Sequence, residues 1–356
     1  MSGEVGVRRS RVSRVIKNNM IDFRLAQIIE ALTRYSTEEG LPPSIKSYAQ
    51  KLGLAERNLY KLVQRARAAG FQFGVSINYE RLDLSQVAIV SNSLTLADIP
   101  PKSTARLLDG RFMQTFIVPE GCVEEFANSV EADDIYFTHI VWGSRPALAS
   151  IPYIRMDPYY KPEKSILDGM KKVFMETYEK GLPDLSGRRY PADKVVVLLL
   201  LEANIDALRS VASMARTYGL SLIKTQRKYY RLWKRKAILG YRLRCAPYCT
   251  PSGIVAVLRH HDPERLAYAL PVMPPVASAA VATSYADKKP VVLLQTMGSG
   301  ETVHHVMRIL RDMGVAIDRI YPYTSPESIT RDAIRKAYLA PIGTPLECPK
   351  VLVGTP

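Results

Sequence analysis

Residues 47–74 and 213–240 align without a gap at one offset of 166 residues. This internal repeat constrains the fold more than any other feature of the chain. The identities are Ser47/Ser213, Ala49/Ala215, Gly53/Gly219, Leu54/Leu220, Arg65/Arg231 and Gly74/Gly240, and Lys61 falls opposite Arg227. Identity is sparse, but glycines, basic positions and apolar pattern agree together, as one unit written twice would. At 356 residues the chain exceeds one ordinary domain and has room for two copies of a larger module.

The local pattern is the same in both copies. A first helix (about Asp22–Tyr35 and Ala192–Ala203) precedes a second (about Ser44–Leu52 and Ala207–Tyr218). Pro42-Pro43 precede the second helix of copy one, where proline is tolerated. Gly53 and Gly219 end that helix as C′ glycines and open a tight turn. A basic third helix follows (about Glu56–Ala69 and Leu222–Lys236), then a strand. Helix, helix, glycine turn, basic helix, strand is the order of a winged helix-turn-helix.

Strand and helix signals alternate after each unit. In copy two they run Gly253–His260, Pro263–Leu270, Val276–Ser284, Val291–Met297, Glu301–Met313 and Val315–Tyr321, a ferredoxin-like β-α-β-β-α-β order. In copy one, Val87–Ser91 is the first strand, Ala105–Val118 a hairpin around Asp109-Gly110, Val123–Val130 a helix and Ile135–Val141 the last strand. The expected fold is α+β: two winged helix-turn-helix domains, each followed by a ferredoxin-like domain. The expected boundaries are a basic arm at 1–20, helix-turn-helix units at 21–80 and 190–250, and ferredoxin-like domains at 81–150 and 251–325. A linker helix falls at 151–189, with a C-terminal helix and tail at 326–356.

Composition and charge narrow the function. Hydrophobic residues at 47% and charged residues at 23% are those of a globular chain and exclude extended disorder. The longest apolar run, Val195–Leu201, is far too short to span a membrane, and no signal-peptide core follows the basic N-terminus. A cytoplasmic location is expected. The net charge of +15 is uneven: +7 over residues 1–74, −5 over 75–150, +2 over 151–189, +9 over 190–250 and +2 beyond. Two separated basic blocks suggest two footprints for a polyanion.

The second basic helix concentrates that charge. Leu222, Tyr229, Leu232 and Trp233 are spaced to face a core, leaving Lys224, Arg227, Lys228, Arg231 and Arg235 on the opposite face. Like charges at this spacing repel, so an anionic partner is the natural compensation. Arg242 and Arg244 in the following strand would reach phosphates as a wing. In the first basic helix Arg57, Asn58, Lys61, Gln64 and Arg65 lie outside an apolar stripe, and Asn58 and Gln64 suit adenine edges. The arm Arg8–Lys17 would add phosphate contacts.

The stretches Leu52-Gly53-Leu54 to Phe71-Gln72-Phe73-Gly74, and Tyr218-Gly219-Leu220-Ser221 to Ile238-Leu239-Gly240-Tyr241, resemble the Lrp/AsnC (feast/famine) transcription regulators. Those proteins join a winged helix-turn-helix to a ferredoxin-like effector domain, here present twice in tandem. Copy one departs by an insertion near Thr37–Pro42 and by Ala55 at the capping position that Ser221 fills in copy two; Lys236 replaces a glycine after the second basic helix. The resemblance implies a sequence-specific, pseudo-dimeric regulator that binds double-stranded DNA, responds to a small-molecule effector and can self-associate further. Siroheme decarboxylases look like the same family but act on a tetrapyrrole, and they form the alternative. Positive charge in the helix-turn-helix blocks favours DNA.

The remaining candidates are few. His260-His261 follow the first strand of the second ferredoxin-like unit and Gly298-Ser299-Gly300 the third, with His304-His305 just beyond; as parallel neighbours these strands are expected to bring their C-terminal ends to one edge, an arrangement suited to an effector anion or to imidazole ligands. No HExxH, GxSxG or Walker motif is present, so no catalytic residue, cofactor or metal is expected. Cys122, Cys245, Cys249 and Cys348 have no paired spacing, which predicts neither a zinc module nor a disulfide framework.

Overall fold

A computed structural model describes residues 23–39, 45–146, 164–245, 252–297 and 300–352. The expected arm Arg8–Lys17, the first part of the linker, Cys249 and Gly298-Ser299 lie outside the described residues. The repeat units form helices α1 (Phe23–Glu39), α2 (Ile45–Lys51) and α3 (Glu56–Ala68) before strand β1 (Gln72–Asn78). Copy two forms α6 (Lys194–Ile205), α7 (Val211–Tyr218) and α8 (Leu222–Lys234) before β6 (Ile238–Cys245). Gly53 and Gly219 close the second helices with φ of 62° and 63°, as the sequence pattern requires.

The other strands are β2 (Leu84–Ser91), β3 (Ser103–Leu107), β4 (Phe112–Pro119), β5 (Asp134–Gly143), β7 (Ser252–Arg259), β8 (Val276–Ser284), β9 (Pro290–Thr296) and β10 (Ala316–Ser328). Helices α4 (Val123–Ser129), α9 (Pro263–Ala269) and α10 (Gly300–Asp312) fall between them, with α5 (Lys164–Lys180) between the copies and α11 (Arg331–Tyr338) near the end. All ten described strands join one antiparallel sheet in the order β2-β4-β3-β10-β7-β9-β8-β5-β1-β6. An additional β2–β5 pairing closes eight of them into a barrel.

The expectation of four tandem domains is therefore corrected. Two ferredoxin-like sheets would each keep free edges. Here β3 of copy one pairs with β10 of copy two, and β5 pairs with β8, so those edges vanish into a single closed wall. Nor is there a hairpin wing in either copy among the described residues. Each contributes one strand, and β1 and β6 pair with each other as a ribbon extending from β5.

The helices pack across copies onto this ribbon. Ser36 Oγ of α1 accepts a hydrogen bond from the Tyr241 amide of β6 at 2.6 Å. A Cβ on Gly240, whose φ is 150°, would lie 2.2 Å from Thr37 Oγ1, so only glycine lets this helix and strand approach. The apolar run Val195–Leu201 is buried at 0–2% exposure inside α6, where a helix hydrophobic on all sides belongs. Asp193 caps that helix by accepting from Val196 N at 2.8 Å.

Alternation along the strands separates barrel lumen from outer wall. Val87 and Ile89 of β2 pack outward against Phe126 of α4, whereas Ala88 and Val90 face inward with Val257, Val291 and Tyr321. On the other side, Ala256, Leu258 and Leu294 pack outward under α5, α9 and α10, with Met170 and Phe174 of α5 filling that layer. The expected connecting helix is thus part of the outer core.

Cys122 and Cys348 form a disulfide with Cα atoms 5.3 Å apart, contrary to the expectation from cysteine spacing. A sequence separation of 226 leaves no local signature to read. The bond fastens a C-terminal tail that also pairs Val351 with Ala97 and Pro345 with Asp193. No helix among the described residues is long and apolar enough to cross a membrane.

Candidate functional site: a cationic cavity in the barrel

The lumen is filled at one end and hollow at the other. At the filled end Tyr136 and Tyr321 share a 3.0 Å hydroxyl contact, and Tyr321 donates to Asp134 at 2.7 Å, which also pairs with Arg319 at 2.6 Å. Burial, and next to it the hydrogen bond to Asp134, push the Tyr321 hydroxyl far up. At the other end small inward residues (Ala88, Ala105, Ala280, Ser278) leave a cavity of about 330 Å³, at the small end for ligand sites and consistent with an eight-stranded barrel that holds one small molecule.

Three cations look into this space. Lys102, from the residues just before β3, donates through Nζ to Tyr79 Oη at 2.9 Å and to Gln86 Oε1. Tyr79 Oη in turn donates to Gln86 Oε1 at 3.1 Å. Arg242 and Arg244 come from β6, whose alternation turns Tyr241 and Leu243 into the helical core and the two arginines toward the barrel. Arg242 Nη2 donates to Asn204 Oδ1 at 2.8 Å, and Arg244 Nη1 to the Ile205 carbonyl at 3.3 Å. Arg242 Nε is buried with no partner. A Cβ on Gly143 would sit 1.9 Å from Arg242 Cδ, so glycine there is what lets the side chain cross the ribbon.

The described lining residues include no aspartate or glutamate. By surface area Lys102, Arg242 and Arg244 are half-buried, and the surface they keep faces the cavity. Burial, reinforced by Arg242 and Arg244, pushes the Lys102 ammonium down to about 7. Burial and then Arg244 push Arg242 down to about 10. Burial holds the Tyr79 phenol well above its ordinary range, so it stays neutral. Gln295 and Tyr323, hydrogen bonded at 3.3 Å, complete a polar rim above an apolar floor that includes Met113 and Val255. The arrangement can hold an anion and exchange a proton with it.

Of the side chains expected to contact DNA, those on the two basic helices are largely exposed. Arg57, Asn58, Lys61, Gln64 and Arg65 lie exposed on α3, and Lys224, Arg227 and Arg231 exposed on α8. Lys228 is committed to Asp193 at 2.5 Å, and Arg235 is half-buried. Leu222 is 43% exposed rather than core; Thr225 takes its place. Ser221 makes no side-chain capping bond. Arg242 and Arg244 serve a cavity instead of a wing, which removes the second copy's expected phosphate clamp.

The expected effector edge is also taken apart. Strands β7 and β9 are antiparallel, not parallel, so their C-terminal ends lie at opposite ends of the sheet. The His260 ring lies tilted against His261 with centroids 4.0 Å apart and meets Tyr178, near the end of α5, edge to face at 5.8 Å. His305 meets the Leu167 carbonyl at 3.2 Å near its start, about 16 Å away along that helix at ~1.5 Å per residue. Burial lowers the His305 imidazole, while His304 is exposed in the first turns of α10, which begins at Gly300. Among the described residues no group of three or more His, Cys, Asp or Glu could hold a metal.

Sequence reasoning missed Lys102, Tyr79, Gln86 and Asn204. One signal was available: Lys102 is the single lysine in the acidic stretch 75–150, directly after Pro100-Pro101.

No protein-family model matches the chain, and no curated protein matches it. Two solved structures are similar. A crystal structure of the siroheme decarboxylase NirDL has 10% identity and a TM-score of 0.41, over 88% of this chain and 96% of that one. The same enzyme in complex with an iron-uroporphyrin III analogue has 11% identity and a TM-score of 0.39, over 82% and 90%. These are structures of an enzyme and not of an Lrp/AsnC regulator. The closed barrel and the inward Arg242 and Arg244 replace the separate effector domains and basic wing on which the expectation of a non-catalytic, DNA-binding regulator of that family rested.

Proposed function

We propose that the barrel cavity binds the carboxylate of a small organic anion, and that the chain is an enzyme acting on that carboxylate. The carrying observation is three cations around one partly enclosed space whose described lining includes no acid. A partly enclosed space that gathers cations, with no acid in its described lining, favours an anionic ligand. Arg242 and Arg244 would grip the carboxylate, Arg242 through an Nε that has no protein partner. Lys102 would move the proton. In a decarboxylation the carbon–carbon bond to the carboxylate breaks, its electron pair stays on the substrate carbon, and the Lys102 ammonium supplies the proton there as carbon dioxide leaves.

A tetrapyrrole with acetate and propionate arms presents this chemistry, and a volume of about 330 Å³ suits one arm rather than the macrocycle. The test is titration with iron-uroporphyrin, followed by its visible absorption band and by mass spectrometry for loss of carbon dioxide. Binding should weaken at least ~10-fold in Arg242→Met, about 1.4 kcal/mol. If iron-uroporphyrin, succinate and benzoate all leave the protein's spectrum and melting unchanged, the reading is wrong.

A further inference from the structure

We propose that anion binding in the barrel cavity is coupled to uptake of one proton by Lys102, so that the site fills as pH falls. This inference rests on the cavity being an anion site and adds how that site is regulated.

Neutral polar groups and two arginines face the Lys102 amine. Tyr79 and Gln86 are its hydrogen-bond partners, and both are neutral. Tyr338 of α11, beside Tyr79, is a phenol that burial also keeps neutral. Ser103 of β3, Thr115 of β4, and Gln295 and Tyr323 of β9 and β10 line the same space without charge. The charged groups are Arg242 and Arg244 of β6, and both repel an ammonium. No carboxylate in the described lining offsets them.

A protonated Lys102 thus lacks a counter-charge until a ligand brings one. An anion in the cavity offsets the two arginines and supplies the ammonium with a counter-charge, which favours the protonated form. Without ligand, an amine titrating at about 7 is about nine-tenths neutral one pH unit higher. Anion binding at about pH 8 should then take up about 0.9 proton, and at about pH 6 only about 0.1. Above pH 7 the affinity should fall roughly tenfold per pH unit. Arg242, titrating at about 10, stays charged near neutrality and adds little to that slope.

Sulfate is the probe, because its charge does not change near neutral pH. Calorimetric titration in two buffers of different ionisation enthalpy reads the protons taken up. Wild type should show buffer-dependent heats at about pH 8 that nearly vanish at about pH 6, with affinity dropping in between. Lys102→Arg, charged throughout, should bind sulfate with no buffer dependence and no pH slope. Sulfate binding in wild type with constant affinity and no proton uptake would overturn the coupling and leave the anion site standing. No sulfate binding in wild type or Lys102→Arg would overturn both.

Discussion

Replacing Lys102 with methionine should make the ligand-free protein more stable, by an amount that depends on pH. In the folded chain burial first, and the two arginines next, hold the ammonium down from 10.5 to about 7. The folded state therefore bears a penalty on the order of 4 kcal/mol at neutral pH, at ~1.4 kcal/mol per tenfold change in protonation equilibrium. Methionine removes that penalty but forfeits the amine's bonds to Tyr79 and Gln86, about 1 kcal/mol each. The net gain should be about 2 kcal/mol. The sign of the pH dependence follows from proton counting. Below pH 7 both folded and unfolded Lys102 are charged, and the advantage of the variant is constant and largest. Between about 7 and 10.5 the unfolded chain binds more protons, so wild-type stability rises with pH and the advantage shrinks. Urea unfolding at several pH values, read by the buried Trp142 and Trp233, measures both quantities. A variant less stable than wild type at about pH 6, or a difference that ignores pH, would refute the view that Lys102 is held uncompensated.

Three further outcomes follow from the geometry. Gly143→Ala places a Cβ 1.9 Å from Arg242 Cδ and should displace that arginine, with sulfate affinity at least ~10-fold lower by titration; unchanged affinity would show that Arg242 does not hold the anion. Glu202 is fully buried and pairs with Arg209 at 2.5 Å, Arg331 at 3.1 Å and Tyr218 at 2.5 Å. Arg209→Met should cost about 2–3 kcal/mol in equilibrium unfolding because two partners remain, and a loss below about 0.5 kcal/mol would mean the network is slack. Reducing the Cys122–Cys348 bond opens a link across 226 residues, with a chain-entropy cost of up to about 5 kcal/mol. The melting temperature should fall on phosphine treatment, and an unaltered melt would mean the tail stays in place without it.

Much of the local structure was legible in the residues themselves. The glycine turns at Gly53 and Gly219, the basic third helices and the alternating strands of copy two follow from spacing and turn chemistry, which act over a few residues. The alternation of β6 was equally plain: Tyr241 and Leu243 fall on one face, Arg242 and Arg244 on the other. Cys122 and Cys348, by contrast, gave no sign of each other, since disulfide pairing depends on where distant segments meet.

What only the tertiary structure decided is which surfaces face each other. A strand's edge offers the same amides and carbonyls whether it meets solvent, a hairpin partner or a strand from the other copy. Nothing local in β3 or β10 distinguishes an open ferredoxin-like edge from a barrel seam. Closure of that seam, and the pairing of β1 with β6, turned two arginines suited to a DNA wing into the wall of a cavity and brought Lys102 beside them. The sequence by itself determined the charge and its alternation along the strand. Non-local backbone pairing, indifferent to side-chain identity, decided that the charge points inward.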